Sequence, residues 1–310
     1  MVDSLQKIDE ETLVQLNLNK ARMTLVDKNR SNELLEAMPN PTQAAGGSAA
    51  NTAYWAAQLG GNVGFIGKIS NDELGIQFKE SVKKSGLNDF TIFETEDNQT
   101  GHCAIFITPD GERTMNTYLG AGAFLSVEDL NEEAIKSAEI LYMEGYLWDR
   151  PTSKEAFLYA AKLNKSSGGK NAITLSDVFC VEMHRDSFIE FIKESIDFVF
   201  CNEEEIMSLT MKETIDEAIN SFTNLFPNIE ELVCTLGPRG ALVISNGKKS
   251  NYDATEAEVV DKTGAGDYFA AGYLYGLQKK LSIEESADIA NRSAAYVISE
   301  VGVRPKNKFD

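Results

Sequence analysis

The amino-acid sequence predicts an α/β fold with a mostly parallel sheet, and two observations lead to this class. With 310 residues, 43% of them hydrophobic, the chain is long enough to bury a sizeable core. From residue 125 onward, short apolar segments alternate with longer segments of helical periodicity. Strands joined by helices of this size run parallel, with helices on both faces of the sheet. We therefore expect ligands at the carboxyl ends of the strands.

The first half of the chain is more mixed than the second. A strand is predicted at 23–27 and a short helix at 34–38, which Pro39 and Pro41 end. A helix rich in small residues follows 46–51, and the next expected elements are a strand at 63–69 and a helix near 72–85. Residues 89–120 then change to β character, with a hairpin turn at Pro109-Asp110-Gly111.

The second half carries the regular alternation. The predicted strands and helices, in chain order, are strand 139–143, helix 151–163, strand 172–175, helix 187–193, strand 196–201, strand 231–235 and helix 283–300. Ser282 and Glu285 have the spacing of a capping box, which supports the start of the last helix.

The charge balance argues against polyanionic partners. The chain has 48 acidic and 29 basic residues, a formal net charge of −19. Nucleic acid and anionic membranes bind to basic patches, so neither is expected as a partner. We find no signal peptide and no apolar run approaching the ~20 residues of a membrane span, which favours a cytoplasmic protein. The sequence leaves monomer and homodimer open.

Cysteine and histidine usage narrows the chemistry. The cysteines, Cys103, Cys180, Cys201 and Cys234, lack metal-ligand spacing and are predicted to be buried free thiols. With only two histidines, His102 and His184, a zinc site or a Ser-His triad is hard to build.

The stretch VDKTGAGDYFAAG, at 260–272, is the strongest candidate for a functional site. Gly264, Ala265 and Gly266 form a tight turn that leads into a helix, and free backbone N–H groups at a helix start attract anions. Asp267 beside such an anion site has two interpretations. It could be a general base that takes a proton from a hydroxyl, or it could cap the helix.

A family resemblance favours the first interpretation. DKTGAGD at 261–267 and GGSAAN at 46–51 resemble the two signatures of the ribokinase-like (phosphofructokinase-B type) carbohydrate and nucleoside kinases. The resemblance implies phosphoryl transfer from ATP to a sugar-type hydroxyl, with Asp267 as base and the amides of 264–266 as anion hole. It also implies a ribokinase-like three-layer α/β sandwich with a mostly parallel central sheet and a small β lid.

The resemblance also divides the chain. It implies a core of 45–88 and 121–310, lid segments at 5–44 and 89–120, and a remnant of a first core strand at 1–4. A lid has a physical purpose in a kinase, because it excludes the water that would hydrolyse ATP.

The resemblance implies residues that bind the phosphoryl acceptor, the sugar or nucleoside; they form the acceptor side of the site. Asp3, Gly46, Gly47 and Asn51 would bind substrate hydroxyls, although Asp3 could equally be a frayed terminal acid. Tyr146 would stack on a base or fill the core. Arg113 would reach the transferred phosphate from the lid, or remain solvated beyond the turn.

The resemblance also implies residues that bind ATP and its Mg²⁺, which form the nucleotide side of the site. Asn202 and Glu205 would place Mg²⁺ through water, although glutamates at a helix start also suit the helix dipole. Thr235 and Gly237 would approach the ATP phosphates, and Asn291 the adenine. Asp261 and Thr263 match positions that bind a monovalent cation such as K⁺ in some members.

A second glycine-rich stretch is not expected to bind phosphate. Residues 61–68 resemble a phosphate-binding Walker loop, but the spacing is one residue too long, so Lys68 is predicted to be solvated.

Three runs of sequence bear on the substrate. The runs GGSAANTAYWAAQLGG, PDGERTMNTYLGAG and MEGYLWDRP are most similar to those of adenosine kinases. Ribose, fructose and 2-keto-3-deoxygluconate kinases remain alternatives, as does a non-catalytic sugar or nucleoside sensor.

Overall fold

The computed structural model describes residues 1–94, 98–306 and 309. Its strands, numbered in chain order, are β1 Val2–Lys7, β2 Met23–Leu25, β3 Thr42–Ala45, β4 Gly64–Ile69, β5 Asn88–Phe93, β6 His102–Ile107, β7 Arg113–Tyr118, β8 Ile140–Glu144, β9 Lys170–Thr174, β10 Phe198–Asn202, β11 Glu231–Thr235, β12 Ala241–Ser245 and β13 Lys248–Tyr252.

The α-helices, numbered in the same way, are α1 Glu10–Gln15, α2 Lys28–Glu36, α3 Ser48–Gln58, α4 Glu73–Lys84, α5 Glu132–Ser137, α6 Pro151–Ser166, α7 Val178–Ser195, α8 Glu203–Thr210, α9 Ile215–Leu225, α10 Ala265–Gln278 and α11 Ile283–Ile298. Short 3-10 helices lie at 120–124, 127–129, 145–149 and 237–239.

A six-stranded sheet forms the centre of the molecule, in the order β13-β12-β11-β10-β9-β8. Strands β8 to β11 are parallel to one another, whereas β12 and β13 add antiparallel strands at one edge. The predicted mostly parallel sheet is confirmed.

Helices cover both faces of this sheet because its strands are apolar on both sides. On β10, Phe198 and Phe200 pack with α10 and α11, whereas Val199 and Cys201 pack with α7, α8 and α9. This alternation is the two-residue period of a strand, and burial on both faces is typical of parallel sheets. The result is the predicted three-layer sandwich.

A five-stranded sheet, in the order β2-β7-β6-β1-β3, lies apart from the central one. The predicted turn at 109–111 joins β6 and β7 as an antiparallel hairpin. Strand β1 pairs with β6 and with β3, so residues 2–7 form one continuous element. The predicted division between 1–4 and 5–44 falls inside this strand, and residues 2–4 belong to the sheet of the expected lid. Pairing with β3 and β6 places residues 2–4 in the five-stranded sheet. The sequence of β1 alone does not show which strands it pairs with.

Strand β5 does not belong to the five-stranded sheet, contrary to expectation. It was predicted as part of the lid segment 89–120, but it pairs in parallel with β4 in a separate two-stranded sheet. Helix α4 connects the two strands, which makes β4-α4-β5 a further βαβ unit. The five-stranded sheet, here called the lid sheet after the predicted lid, therefore takes only β6 and β7 from this segment.

In the described part of the chain, no helix is both long and apolar enough to span a bilayer. The four cysteines are buried and unpaired, as predicted.

Candidate active site

The Asp267 carboxylate lies at the centre of the site. Helix α10 begins after Gly264, whose φ of +79° is a conformation that favours glycine. Asp267 lies in the first turn, and its Oδ1 accepts a hydrogen bond from Ser48 Oγ at 2.8 Å and its Oδ2 one from Asn51 Nδ2 at 2.9 Å. The carboxylate thus faces α3 instead of capping its own helix, and the helix-cap interpretation is wrong.

Burial and hydrogen bonding act in opposite directions on Asp267. Desolvation raises the pKa of its carboxyl above the ordinary value, while the donors on Asn51 and Ser48 and the charge of Arg304 lower that pKa. The net shift is upward. A carboxylate with a raised pKa accepts a proton more readily than a solvated one, as a general base must.

Helix α10 begins with backbone N–H groups that can bind an anion. The first N–H groups of an α-helix have no intrahelical partner, and here they belong to the turn Gly264, Ala265 and Gly266 and to Asp267. That of Ala265 donates to Lys262 O at 3.3 Å, outside the helix. All four residues line the same cavity, of about 810 Å³. The N–H groups of Gly264, Gly266 and Asp267 and the positive end of the helix dipole favour phosphoryl oxygens at this point.

Asp3 and Gly46 meet on the acceptor side. Asp3 is buried, with 7% of its surface exposed, and desolvation raises the pKa of its carboxyl to about 6. A Cβ on Gly46 would lie 2.1 Å from Asp3 Oδ2, so only glycine allows this approach. Gly47, with φ +96°, precedes α3 and turns the chain toward Asn51. Asp3 is thus a buried group of the cavity wall, and the frayed-terminus interpretation is wrong.

Glu144 is a site residue that the sequence analysis missed. It ends β8, lines the cavity, and accepts a hydrogen bond from Ala49 N at 2.7 Å. Desolvation raises the pKa of its carboxyl. Its place at the carboxyl end of β8 was the available signal, because ligands were expected at the carboxyl ends of the strands.

Tyr146 and Arg113 both line the cavity, with different partners. The Tyr146 hydroxyl donates to Ser176 O at 3.0 Å. Arg113 forms an ion pair with Asp261, and 12% of its side-chain surface is exposed. Its buried Nη1 has no hydrogen-bond partner within the described chain. Arg113 is therefore not a solvated residue beyond the turn.

The nucleotide-side candidates lie at the ends of β10 and β11. Asn202 and Glu205 form a capping box, in which Glu205 N donates to Asn202 Oδ1 at 2.8 Å and Asn202 N donates to Glu205 Oε2 at 3.0 Å. Both residues and Thr235 line the cavity. Gly237, in a 3-10 turn, and Asn291, buried on α11, are not among its lining residues.

The predicted magnesium contact is compatible with a water-mediated role. Both Glu205 oxygens already accept hydrogen bonds from Asn202, and burial raises the pKa of this carboxyl to about 7. Asp177 also lines the cavity and contributes to this rise. The described residues contain no cluster of three or more metal-ligating side chains. Glu205 and Asp177 could thus hold the waters of a Mg²⁺ carried by the nucleotide.

The monovalent cation predicted at Asp261 and Thr263 stays a prediction, and both residues line the cavity. The Asp261 carboxylate accepts from Thr263 N at 3.0 Å and from Gly302 N at 2.6 Å, and it pairs with Arg113. Asp261 thereby connects the lid sheet, the glycine turn and the C-terminal segment.

Lys68 differs from its predicted solvated state. Its Nζ lies 2.9 Å from Asp129 Oδ2 and 3.3 Å from Glu94 Oε2, and 11% of the side-chain surface is exposed. The lysine is therefore held in a buried ion-pair cluster, which depends on residues distant in sequence.

Comparison with known proteins assigns the class of protein that this fold and site define. The sequence model of the pfkB family of carbohydrate kinases matches residues 11–309, and the chain belongs to this family. Its fold is ribokinase-like, and it is a phosphotransferase that acts on a sugar or nucleoside hydroxyl. Kinases of this family use ATP as the phosphoryl donor.

Three relatives illustrate the similarity. A probable sugar kinase from Rhizobium etli CFN 42 has a TM-score of 0.91 and 35% identity, covering 99% of this chain and 92% of its own. The adenosine kinase from Sinorhizobium meliloti has a TM-score of 0.88 and 36% identity, covering 98% and 93%. The probable chloroplastic fructokinase-6 of Arabidopsis thaliana is 29% identical, covering 85% of this chain and 72% of its own.

Proposed function

We propose that this protein is an ATP-dependent adenosine kinase that phosphorylates the primary hydroxyl of the nucleoside. One observation carries the catalytic part of the proposal. The Asp267 carboxylate, held by Ser48 and Asn51, faces the cavity at the helix terminus that supplies the anion-binding N–H groups. A base and an anion hole are thereby adjacent, which is the arrangement that phosphoryl transfer to a hydroxyl requires.

The reaction follows from this arrangement. The acceptor hydroxyl lies against Asp267 and gives it the proton as the oxygen bonds to the γ-phosphorus. The bond from that phosphorus to the β-phosphate oxygen breaks, and ADP leaves. The N–H groups of Gly264 and Gly266 stabilise the charge on the transferred group, together with Arg113 Nη1, which has no hydrogen-bond partner among the described residues. Mg²⁺, when bound with ATP, would neutralise phosphate charge beside Glu205 and Asp177.

The acceptor side suits vicinal hydroxyls. Asp3, which is buried, and Glu144, which is partly exposed, have carboxylates that can accept hydrogen bonds from sugar hydroxyls, and both line the cavity. Ribose in a nucleoside presents two such hydroxyls beside the primary one. Apolar side chains such as Leu25, Phe65 and Met115 line the same cavity and could pack against a purine.

The substrate choice rests on this lining and on the similarity to an adenosine kinase at 36% identity. Fructokinase is the second candidate, because a probable fructokinase is 29% identical. A panel of adenosine, ribose, fructose and 2-keto-3-deoxygluconate, assayed by ADP release, distinguishes them. Activity on fructose with none on adenosine would overturn the nucleoside assignment.

Replacement of Asp267 tests the catalytic assignment. We expect Asp267→Asn to lower kcat by about 10² to 10⁴, because a carboxamide cannot take the proton. ATP affinity, measured by calorimetry, should be nearly unchanged. Asp186→Asn, an exposed Asp on α7, is the matched control and should keep full activity. Near-normal turnover in the Asp267→Asn protein would exclude Asp267 as the base.

A non-catalytic sensor on the same fold makes a different prediction. Such a protein would bind adenosine in calorimetry but release no ADP with any member of the panel. A binder has no use for a base, so the raised pKa of Asp267 favours the enzyme.

A further inference from the structure

The C-terminal segment brings an arginine to the proposed base. Arg304 Nη1 donates to Asn51 Oδ1 at 2.8 Å and to its neighbour Val303 O at 2.6 Å. Its guanidinium carbon lies 4.1 Å from the ring centroid of Tyr54, a cation–π distance. Asn51 in turn donates to Asp267 at 2.9 Å. Arg304, Asn51 and Asp267 thus form a continuous hydrogen-bonded chain.

Backbone contacts hold this segment independently of the arginine side chain. The Tyr268 hydroxyl donates to Val303 O at 2.9 Å, and Gly302 N donates to Asp261 at 2.6 Å. Val303 is buried against Gly264, where an added Cβ would approach its Cγ1 to 3.0 Å. The position of Arg304 is therefore fixed by the same turn that forms the anion site.

The direction of the Asn51 amide depends on both of its neighbours. Its Nδ2 faces a carboxylate and its Oδ1 faces a guanidinium. If the amide turned by 180°, its oxygen would face the carboxylate and its NH₂ group would face the guanidinium, and neither pair could form a hydrogen bond. Arg304 thus fixes the orientation in which Asn51 donates to the base.

Arg304 is not among the residues that line the cavity. It reaches the reacting groups through Asn51, so its effect should fall on the ionisation and orientation of Asp267 and not on nucleotide contact. We propose that Arg304 is a positioning residue that, through Asn51, keeps Asp267 ionised and aimed at the acceptor hydroxyl. This inference rests on the proposed function, which identifies Asp267 as the base, and it adds a residue that controls this base.

Electrostatics around Asp267 agree with this role. The acidic groups that face the site from the surrounding elements are Asp3 on β1, Tyr142 and Glu144 on β8, and Tyr146 after β8, and the Met1 amino group acts on Asp3 and Glu144. Arg304 is the cation that lowers the pKa of Asp267 and that also lowers the pKa of Asp3. Without Arg304, the desolvated carboxylate of Asp267, among other carboxylates, would hold its proton to higher pH.

The test measures the ionisation of Asp267 directly. NMR titration of protein labelled with ¹³C at the aspartate carboxyl carbon, with Asp267→Asn to assign the signal, gives its pKa without any turnover. We expect Arg304→Gln to raise the pKa of Asp267 by about one unit, the lower end of the effect of a nearby opposite charge. Arg304→Lys, which keeps the charge, should restore most of the shift.

Kinetics supply the second readout. In Arg304→Gln the acidic limb of the kcat profile should move to higher pH by the same amount, with the KM for ATP nearly unchanged. Arg304→Met, which keeps an unbranched side chain at this position, is a second neutral variant and should shift the acidic limb by the same amount. Arg22→Gln removes the same charge from an exposed position and serves as the control.

The two hypotheses fail separately. An unmoved pKa of Asp267 in the neutral variants, an equal rise in Arg304→Lys, or an equal rise in Arg22→Gln would overturn the inference. Absence of phosphoryl transfer by the wild-type protein would overturn the proposed function, and the NMR titration would still decide whether Arg304 controls Asp267.

Discussion

Asp3 and Asp267 differ in how the protein compensates the desolvation of their carboxyl groups. Two side-chain donors and a guanidinium offset part of the desolvation of Asp267, whereas neighbouring charges alone offset part of that of Asp3. The pKa of Asp3 consequently rises to about 6. A group that ionises less readily in the folded state than in the unfolded state weakens folding once the pH exceeds its unfolded pKa.

Asp3→Asn should therefore stabilise the unliganded protein at pH 8. Stability from a raised carboxyl pKa is fully present below the unfolded value of 3.8 and is lost as pH rises through about 6. The free energy of unfolding should increase by up to about 3 kcal/mol at pH 8, since one pKa unit corresponds to about 1.4 kcal/mol. The gain should vanish near pH 4.

Urea unfolding at pH 8, 6 and 4 measures this effect. Asp186→Asn, on the exposed side of α7, provides the control and should show a small change at each pH. A stabilisation of Asp3→Asn that is equal at pH 8 and pH 4 would contradict the argument from desolvation.

Helix α10 is fixed in place by close contact with α11. A Cβ on Gly272 would lie 2.8 Å from Ala290 Cα, and one on Gly276 would lie 2.3 Å from Ser286 Oγ. The helices approach closely because these positions lack side chains. This packing holds the N-terminus of α10, and with it the glycine turn, at the edge of the central sheet.

Gly272→Ala tests the importance of this contact. The added methyl group meets backbone atoms, which cannot rotate away, so we expect a loss of about 1 to 3 kcal/mol in the free energy of unfolding. Gly266→Ala is the matched control in the same helix, because its Cβ would meet no atom within 4 Å. Equal stability of the two variants, measured by urea denaturation, would show that the helices can move apart at little cost.

At the scale of the whole molecule, Arg113 and Asp261 join the lid sheet to the core. Arg113 begins β7, and Asp261 lies just before the glycine turn, with 1% of its side-chain surface exposed. Removing one partner of a buried pair leaves the other charge desolvated and uncompensated. The position of the lid sheet should thus depend on this pair.

A double-mutant cycle on the free energy of unfolding measures the coupling. We expect Arg113→Gln and Asp261→Asn to be non-additive by about 1 to 3 kcal/mol, as is typical of residues in direct contact. The exposed pair Lys249 and Asp216 should couple by less than about 1 kcal/mol. Additive effects at Arg113 and Asp261 would mean that the lid sheet is held by other contacts.

The sequence by itself determined the parts of this protein that depend on neighbouring residues. The parallel sheet, the hairpin at 109–111, the capping box at Ser282 and the glycine turn with Asp267 each have a local pattern, because caps and turns form within a few residues. Only the tertiary structure decided the sheet that β1 joins, the pairing of β5, and the contacts of Arg113 and Arg304. Arg304 is 253 positions from Asn51, and such partners are set by how the segments pack.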